Sequence, residues 1–497
     1  MEDLFASIES SEVMLSAQDA LFSFANHPLV HFYENTSNGG SHIGFMPSAV
    51  LQASLYTALK DFPLLLGHIK DGPGGLAKIV VDKHGLNLPE FVESESSIHY
   101  QSLKEAQFKW STWPKGVATV GPTTAPNKHG AIKLLNVHIV RLHEDSGLIL
   151  FCNIPHYILD GFGYYAFLSH WAAICRTFCR QEPPLTEQHC QPLYTFDRAI
   201  VDEGLQGQRC PLERPVIDMF TGSRITAKLL TLLSYSARTR LVSMCVNIDF
   251  GHAHLFRVSR ESLAELRDQA KARIASSADI STYAVLAAFM CTSVCRAQNR
   301  SAREQIFFVR AAHAAAGAIS SLFGTGQPQY TLVNMVHVHE SLNLGSGHCY
   351  IGNPVILQPI RIPLDILSLD AGEESLAKVA SQATLALGGI TAPLVGEFVD
   401  FLNANPNAYA RYAAYMAAAT NVLTIIDERG YHTQSVDFGH GGPTWVSGIP
   451  WHIPNFVAFF ASPARPGDVD VYVSHSPRVA DALAKDAFFA KYARLLF

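Results

Sequence analysis

The sequence predicts an α+β protein of two domains, each a mixed sheet flanked by helices. Three observations lead there. At 497 residues the chain is too long for one ordinary core, so two domains are expected. Strand-like apolar runs and helix-length amphipathic stretches are interleaved in both halves. Between the halves, from about residue 180 to 245, the periodicity breaks, and Pro183, Pro184, Gly204, Gly207, Pro211 and Pro215 mark a long connection. The expected division is a first domain at 1–200, a crossover loop at 201–245 and a second domain at 246–497. No repeat of solenoid period is present.

The elements follow in order. Leu29 to Tyr33 reads as a strand. Ser48 stands where it can cap a helix carrying Val50, Leu51, Leu55, Ala58 and Leu59 on one side. Pro63 stops that helix, and Leu64 to Ile69 begins a strand. Short strand signals and an aromatic cluster (Phe108, Trp110, Trp113) fill residues 70–130. Ile132 to Leu142 reads as a strand, a turn at His143 to Gly147 reverses the chain, and Gly147 to Cys152 reads as a buried strand. Next come Asn153-Ile154-Pro155-His156-Tyr157-Ile158-Leu159-Asp160-Gly161 and a helix over Tyr164 to Cys175.

In the second half Leu255 to Val258 reads as a strand, and Ser262 with Glu265 has capping-box spacing at the head of a helix reaching Arg273. A second capped apolar helix runs from Ile280 to about Ala297. Amphipathic helices are expected near 375–388 and 394–404, strands at Asn455 to Phe460 and Val469 to Val473, and a final helix.

Composition removes several functions. The net charge is −6 with no basic stripe or tail, which argues against a nucleic-acid partner. No segment reaches the ~18 uninterrupted apolar residues of a membrane span. The acidic start, Met1 to Phe5, lacks the basic region of a secretory signal. The nine cysteines are scattered without a Cys-x-x-Cys pair, and Cys175/Cys179 and Cys291/Cys295 read as small buried hydrophobes on helix faces. A reducing, cytoplasmic setting is expected, and a monomer.

The chemistry concentrates at His156. A histidine at the end of a buried strand, followed by a glycine turn into a helix, is held rigidly where substrate can approach. An imidazole with an ordinary pKa near 6.5 is mostly neutral at cellular pH and can take a proton from a hydroxyl or amine. A lone histidine at a strand end is more often structural, so the rest of the chain has to decide.

It does so by resemblance. His156-x-x-x-Asp160-Gly161 is similar to the central motif of acyl-CoA-dependent acyltransferases. Leu15-Ser16-Ala17-Gln18-Asp19, the stretch from Leu51 to Gly67, Ile280 to Phe289, Tyr350-Ile351-Gly352-Asn353 and Asp437-Phe438-Gly439-His440-Gly441 resemble further motifs of the same family, in order. The chain thus resembles the BAHD acyltransferases, nearest their fungal, trichothecene acetyltransferase-like branch.

The resemblance implies two chloramphenicol-acetyltransferase-like domains with a tunnel at their interface, acyl donor entering from one face and acceptor from the other. It makes His156 the general base. Asp160 would point away from substrate toward an arginine and, with Gly161, shape the loop; Asp437 and Gly439 would likewise be structural. The chain departs from the family pattern at His440, where a tryptophan is usual, and at His339, where an arginine often stands. Arg310 is a candidate substitute partner for Asp160. His170, His313, His337 and His339 read as ordinary.

The implied function is transfer of an acyl group, with acetyl favoured, from acyl-CoA to a hydroxyl of a small-molecule natural product, directly in a ternary complex. Acyl-CoA is the co-substrate, no metal is expected, and no Gly-x-Ser-x-Gly elbow or reactive-cysteine setting points to a covalent intermediate. Asn421, Thr444 and Ser447 are open candidates for an oxyanion donor. Two other readings compete. One is a condensation-type catalyst fed by a carrier protein, which the single histidine after Pro155 disfavours. The other is a tunnel scaffold that binds or cyclises an apolar metabolite without acyl transfer.

Overall fold

A computed structural model describes residues 5–497 apart from 24, 37–43, 74–75, 118–131, 181–192, 221–236, 238–251, 275–279, 304–328, 343, 345–347, 368–371, 406, 419–420, 432, 451–452, 454 and 464. Most of the 201–245 crossover, Arg310 and His313 lie outside the described residues. Its described part is not wholly irregular: Ala199–Gly204 and Arg214–Met219 are short helices.

The first half is built on a five-stranded sheet whose central strand is Gly147–Pro155. All nine of its residues are buried, which is why its apolar run is continuous rather than alternating. Asn26–Glu34 pairs with it antiparallel over its whole length, Asn26 opposite Pro155 and Glu34 opposite Gly147. Asn136–Arg141 covers its other edge, and Glu90–Glu95 follows in parallel. Helix Gly161–Arg180 packs on helix Ser48–Ala58, where the Trp171 indole donates to the Leu51 carbonyl at 3.0 Å.

The second half is a seven-stranded mixed sheet. In spatial order it runs Val355–Pro363, Gln329–His337, Val422–Asp427, Phe456–Ala461, Val469–His475, His252–Val258, Ala493–Leu495. Gln329–His337, Val422–Asp427 and Phe456–Ala461 are mutually parallel, and the other pairings are antiparallel. Helix Thr282–Arg303 covers it together with Gly372–Gly388 and Pro477–Ala484.

The two halves share structure. Strand Trp445–Gly448, late in the chain, completes the first sheet by pairing antiparallel with Asn26–Glu34, Trp445 opposite Phe32. Leu193–Thr195 pairs in parallel with His348–Tyr350. Residues of both halves also mix in the buried cluster holding Val30, Phe32, Tyr100, Leu255, Ile426 and Trp445.

Local expectations needed correction in four places. Pro47, not Ser48, occupies the N-cap, and the Ser48 hydroxyl is taken by Arg141 at 2.8 Å and by Glu93. The helix at 260 starts one turn earlier than read: Ser259 caps it by accepting from the Ser262 amide at 3.1 Å, so Ser262 and Glu265 are not a capping box. Pro63–Leu66 is a 3₁₀ turn and only His68–Asp71 is strand. The final helix is two helices, Pro477–Ala484 and Ala487–Tyr492, followed by an edge strand.

Among the described cysteines, Cys152, Cys175, Cys291, Cys295 and Cys349 are buried, and burial pushes the Cys152 and Cys175 thiols up to about 12. Among the described residues no single helix is long and apolar enough to cross a membrane.

Candidate active site

The buried strand Gly147–Pro155 ends in the first half's core and hands His156 to the turn beyond it, where the His156 amide donates to the Ala25 carbonyl at 3.0 Å. The imidazole is clamped on both faces. Phe22 stacks on it at 4.2 Å and 10°, and His27 lies on it at 3.9 Å and 33°. His27 is itself fixed, its Nε2 meeting the Leu159 carbonyl at 3.0 Å.

One hydrogen-bond chain sets the tautomer. Asn353 Nδ2 faces two oxygens, the His156 carbonyl at 2.9 Å and Asp19 Oδ1 at 3.1 Å, so it must be the amide's nitrogen. Its Oδ1 therefore accepts from His156 Nδ1, 2.9 Å away, and the proton of the neutral ring sits on Nδ1. The lone pair is left on Nε2, which has no hydrogen-bond partner among the described residues. Asp19 is held by a capping box with Ser16, whose amide and hydroxyl donate to Oδ2 at 2.8 and 2.6 Å.

Burial lowers the His156 pKa to about 4, with repulsion from His337 adding to it, while its own backbone carbonyl, Asp160 and Asn353 oppose the shift. The ring, 7% exposed, is therefore neutral across physiological pH. The same burial weakens it as a base. Asn353 Oδ1 on Nδ1–H and the nearby Asp160 charge are the groups that favour the imidazolium when a proton arrives.

Asp160 is fully buried and caps helix Gly161–Arg180: its Oδ1 accepts from the Gly163 amide and its carbonyl from the Tyr164 amide, both at 2.8 Å. The turn can only be glycine at two points. A Cβ on Gly161 would overlap the Tyr431 ring, and one on Gly163 would overlap the Ile351 carbonyl. Both obstacles come from the second half, so the turn is gripped across the interface.

The expected arginine partner of Asp160 is not what the described residues supply. Oδ2 faces His337 Nδ1 at 3.3 Å and His339 Nε2 at 3.8 Å. His337 and His339 are thus not ordinary surface histidines. Burial works against a charge on His337, but Asp160, Glu428 and Asp427 outweigh it and raise its pKa above 6.5.

Among the described residues, Asp160, His337 and His339 are the one group with metal-ligand spacing, one atom each within 4.8 Å. His339 Nε2 faces the Tyr350 carbonyl at 3.0 Å, so it carries its proton there and offers no lone pair. This does not fit a metal in the arrangement seen.

The late motif is a loop packed on helix Gly161–Arg180. Asp437 Oδ1 accepts from the amides of Gly439 and Gly441 at 2.7 and 2.9 Å, and Arg176 binds the Asp437 carbonyl. Gly439 and Gly441 have φ of +100° and +93°, which side chains resist. His440 Nε2 accepts from the Met46 amide at 3.3 Å and its ring meets Phe45 edge-on. Of the oxyanion candidates, Thr444 is bound to Tyr100 and the Phe32 carbonyl, and Ser447 to Trp110 and the Gly448 carbonyl; both belong to the sheet edge rather than to His156. Asn421 is exposed. A cavity of about 480 Å³ with Lys104, Arg465 and Arg494 on its wall lies at the Glu34 end of strand Asn26–Glu34, opposite the end that meets His156.

The supports at Asn353, Asp19, His27, His337 and Tyr431 were not assigned site roles from sequence. The usable signal was that Asp19 and Asn353 close two of the resembling motifs, and that a His-x-His pair stands where an arginine often does.

A family model described as "Transferase family" matches residues 6–487. No match was found among curated proteins. Among solved structures, F. graminearum TRI101 with coenzyme A and T-2 mycotoxin superposes with a TM-score of 0.70 at 17% identity, covering 98% of this chain and 100% of that one. TRI101 with ethyl coenzyme A gives 0.69 at 17% identity with the same coverage. Vinorine synthase gives 0.59 at 15%, covering 98% of each chain. These likenesses establish the two-part chloramphenicol-acetyltransferase-like fold, and the family match spans nearly the whole sequence. The chain belongs to the Transferase family, the BAHD-type acyl-CoA-dependent acyltransferases.

Proposed function

We propose that the protein moves an acyl group, acetyl first among them, from acyl-CoA to a hydroxyl of a small-molecule natural product, with His156 as general base. The observation that carries this is the fixed tautomer: Asn353 holds the proton on Nδ1 and leaves Nε2 free to accept one. Both substrates would meet at Nε2 in the seam between the halves.

Nε2 takes the hydroxyl proton as the oxygen attacks the thioester carbonyl. The tetrahedral intermediate then collapses, the C–S bond breaks, and the CoA thiolate recovers the proton from the imidazolium. Such a base contributes roughly 10²–10⁴-fold. The high pKa values of the buried thiols, about 12 for Cys152, oppose a cysteine acyl-enzyme and favour direct transfer. TRI101, similar in fold, has been seen with coenzyme A and T-2 mycotoxin together, and a donor and acceptor pair of that kind is the class expected here.

The test is turnover of acetyl-CoA with a panel of hydroxylated terpenoids, alkaloids and polyketides, read by mass spectrometry, beside His156→Ala. Product from the wild type and a rate loss of at least about a hundredfold in the variant are expected. Undiminished turnover by His156→Ala removes the proposed base.

A further inference from the structure

We infer that His337, as an imidazolium, is the positioning residue of this site: it holds Asp160, and through Asp160 the turn that carries His156, by an ion pair the protein can titrate. The consequence for rate rests on His156 being the reacting base; the ion pair itself does not.

The geometry argues as follows. Asp160 is a fully buried carboxylate, and its Oδ2 has no aligned hydrogen bond among the described residues. Burying a carboxylate without a compensating charge is costly. His337 Nδ1 is the nearest charged-group atom, 3.3 Å away, and it too makes no aligned hydrogen bond. The ring cannot easily turn away, because its other nitrogen meets the Tyr431 hydroxyl at 2.8 Å. A neutral His337 can still meet both partners, donating from Nδ1 toward Asp160 and accepting the Tyr431 hydroxyl at Nε2, but only the protonated ring also supplies the charge that the buried Asp160 carboxylate lacks. Tyr431 in turn packs on Gly161. The line Tyr431–His337–Asp160 therefore ties the second half to the residue that caps the helix after His156.

The surrounding charges leave Asp160 as the principal anion. On the strand Val422–Asp427 and the loop after it, Asp427 is clamped by its own Arg429 at 2.8 and 2.7 Å. Glu428 is pushed up to about 7 by burial, despite the opposing pull of His337. His339, two residues along, is committed to the Tyr350 carbonyl. His27 and His156 face the same space and repel a charge on His337. An arginine at this point would be charged at every pH; a histidine makes the grip conditional.

The sign follows. The His337 pKa is raised on folding, so its contribution is complete below about 6.5 and is lost as pH rises through the raised value.

The experiment uses the full-length protein with His337→Arg, His337→Gln and Asp160→Asn. Without substrates, thermal midpoints are recorded from about pH 5.5 to 9.5. The wild type should lose stability on the alkaline side, while His337→Arg and Asp160→Asn should lack that slope. If arginine does not fit and that variant fails to fold, Asp160→Asn carries the test alone. With substrates, the wild-type kcat should fall across the alkaline limb as His337 loses its proton. His337→Arg should flatten that limb, and His337→Gln should lower kcat at the acid end with KM little changed. The inference is overturned if wild type and Asp160→Asn share one alkaline slope, or if metal-stripped protein regains stability on adding zinc chloride. The thermal arm needs no turnover, so a failure of the His156 assignment would show only in the kinetic arm.

Discussion

Asn353 Oδ1 and His156 Nδ1 stand 2.9 Å apart, and the same Asn353 side chain returns a hydrogen bond to the His156 carbonyl at 2.9 Å. One amide therefore fixes the ring's tautomer, its rotation and the backbone that bears it. Asn353→Ala should lower kcat about a hundredfold, the scale of a mispositioned base, while KM for acyl-CoA changes little. Asn353→Asp should do something different. A carboxylate on Nδ1–H stabilises the imidazolium, so the acid limb of kcat/KM should move above the wild-type value of about 4. Steady-state pH profiles of the two variants check both outcomes, and an unmoved acid limb in Asn353→Asp would count against the assigned contact.

How much of this was legible in the sequence depends on distance along the chain. The height of His156 was readable because Gly147 to Cys152 is continuously apolar, and only a strand buried on both faces needs that. The glycine turn into a helix was readable for the same local reason. Asn353 was not, because it reaches His156 across 197 residues, and Asp19 reaches Asn353 across 334. No periodicity encodes such a meeting. His337 was misread because a histidine's neighbours, not its position in a strand, decide whether it is charged. The two misplaced caps show the limit of pattern reading: serines stand at 259 and 262, and sequence alone does not say which has the extended backbone of an N-cap.

Gly161 and Tyr431 test the grip on the turn. A Cβ at 161 would enter the Tyr431 ring, so Gly161→Ala should destabilise the fold by about 1–3 kcal/mol, the usual cost of overpacking. Combining Gly161→Ala with Tyr431→Ala should cost less than the sum of the two single changes, because removing the ring removes the collision. Tyr431→Phe should leave packing intact and remove only the 2.8 Å contact to His337. Denaturant midpoints of the four proteins decide it; strict additivity would mean that the ring does not oppose the Cβ.

His31 should control resistance to acid. It is fully buried in strand Asn26–Glu34, neither ring nitrogen makes an aligned hydrogen bond, and burial lowers its pKa to about 3. A depressed histidine contributes stability that is present above its unfolded value of 6.5 and is lost as pH falls toward the folded one. By pH 4 that loss is about 3 kcal/mol for a group shifted this far. His31→Leu has nothing to protonate, so its acid-unfolding midpoint should fall to lower pH while stability at neutrality stays equal or rises. Circular dichroism against pH reads this directly, and coincident acid transitions would remove His31 as the sensitive group.

The two halves should not fold as separate pieces, despite the sequence's division near 201–245. A fragment covering residues 1–220 lacks Trp445–Gly448, which leaves strand Asn26–Glu34 an open sheet edge. It also loses Trp445 stacked on Phe108 at 5.1 Å, the Val436 carbonyl bound by the buried Tyr33 hydroxyl at 2.9 Å, and Asn353 beside His156. Each loss strands a buried group of the first half without its partner. That fragment should aggregate or remain expanded on size exclusion, with little near-ultraviolet dichroism. Co-expression with residues 252–497 should recover a compact complex, because strand pairing and the His156 contacts need both chains but not the connection between them. A monodisperse, cooperatively unfolding 1–220 fragment would show that the shared strand contributes far less than its position in the sheet implies.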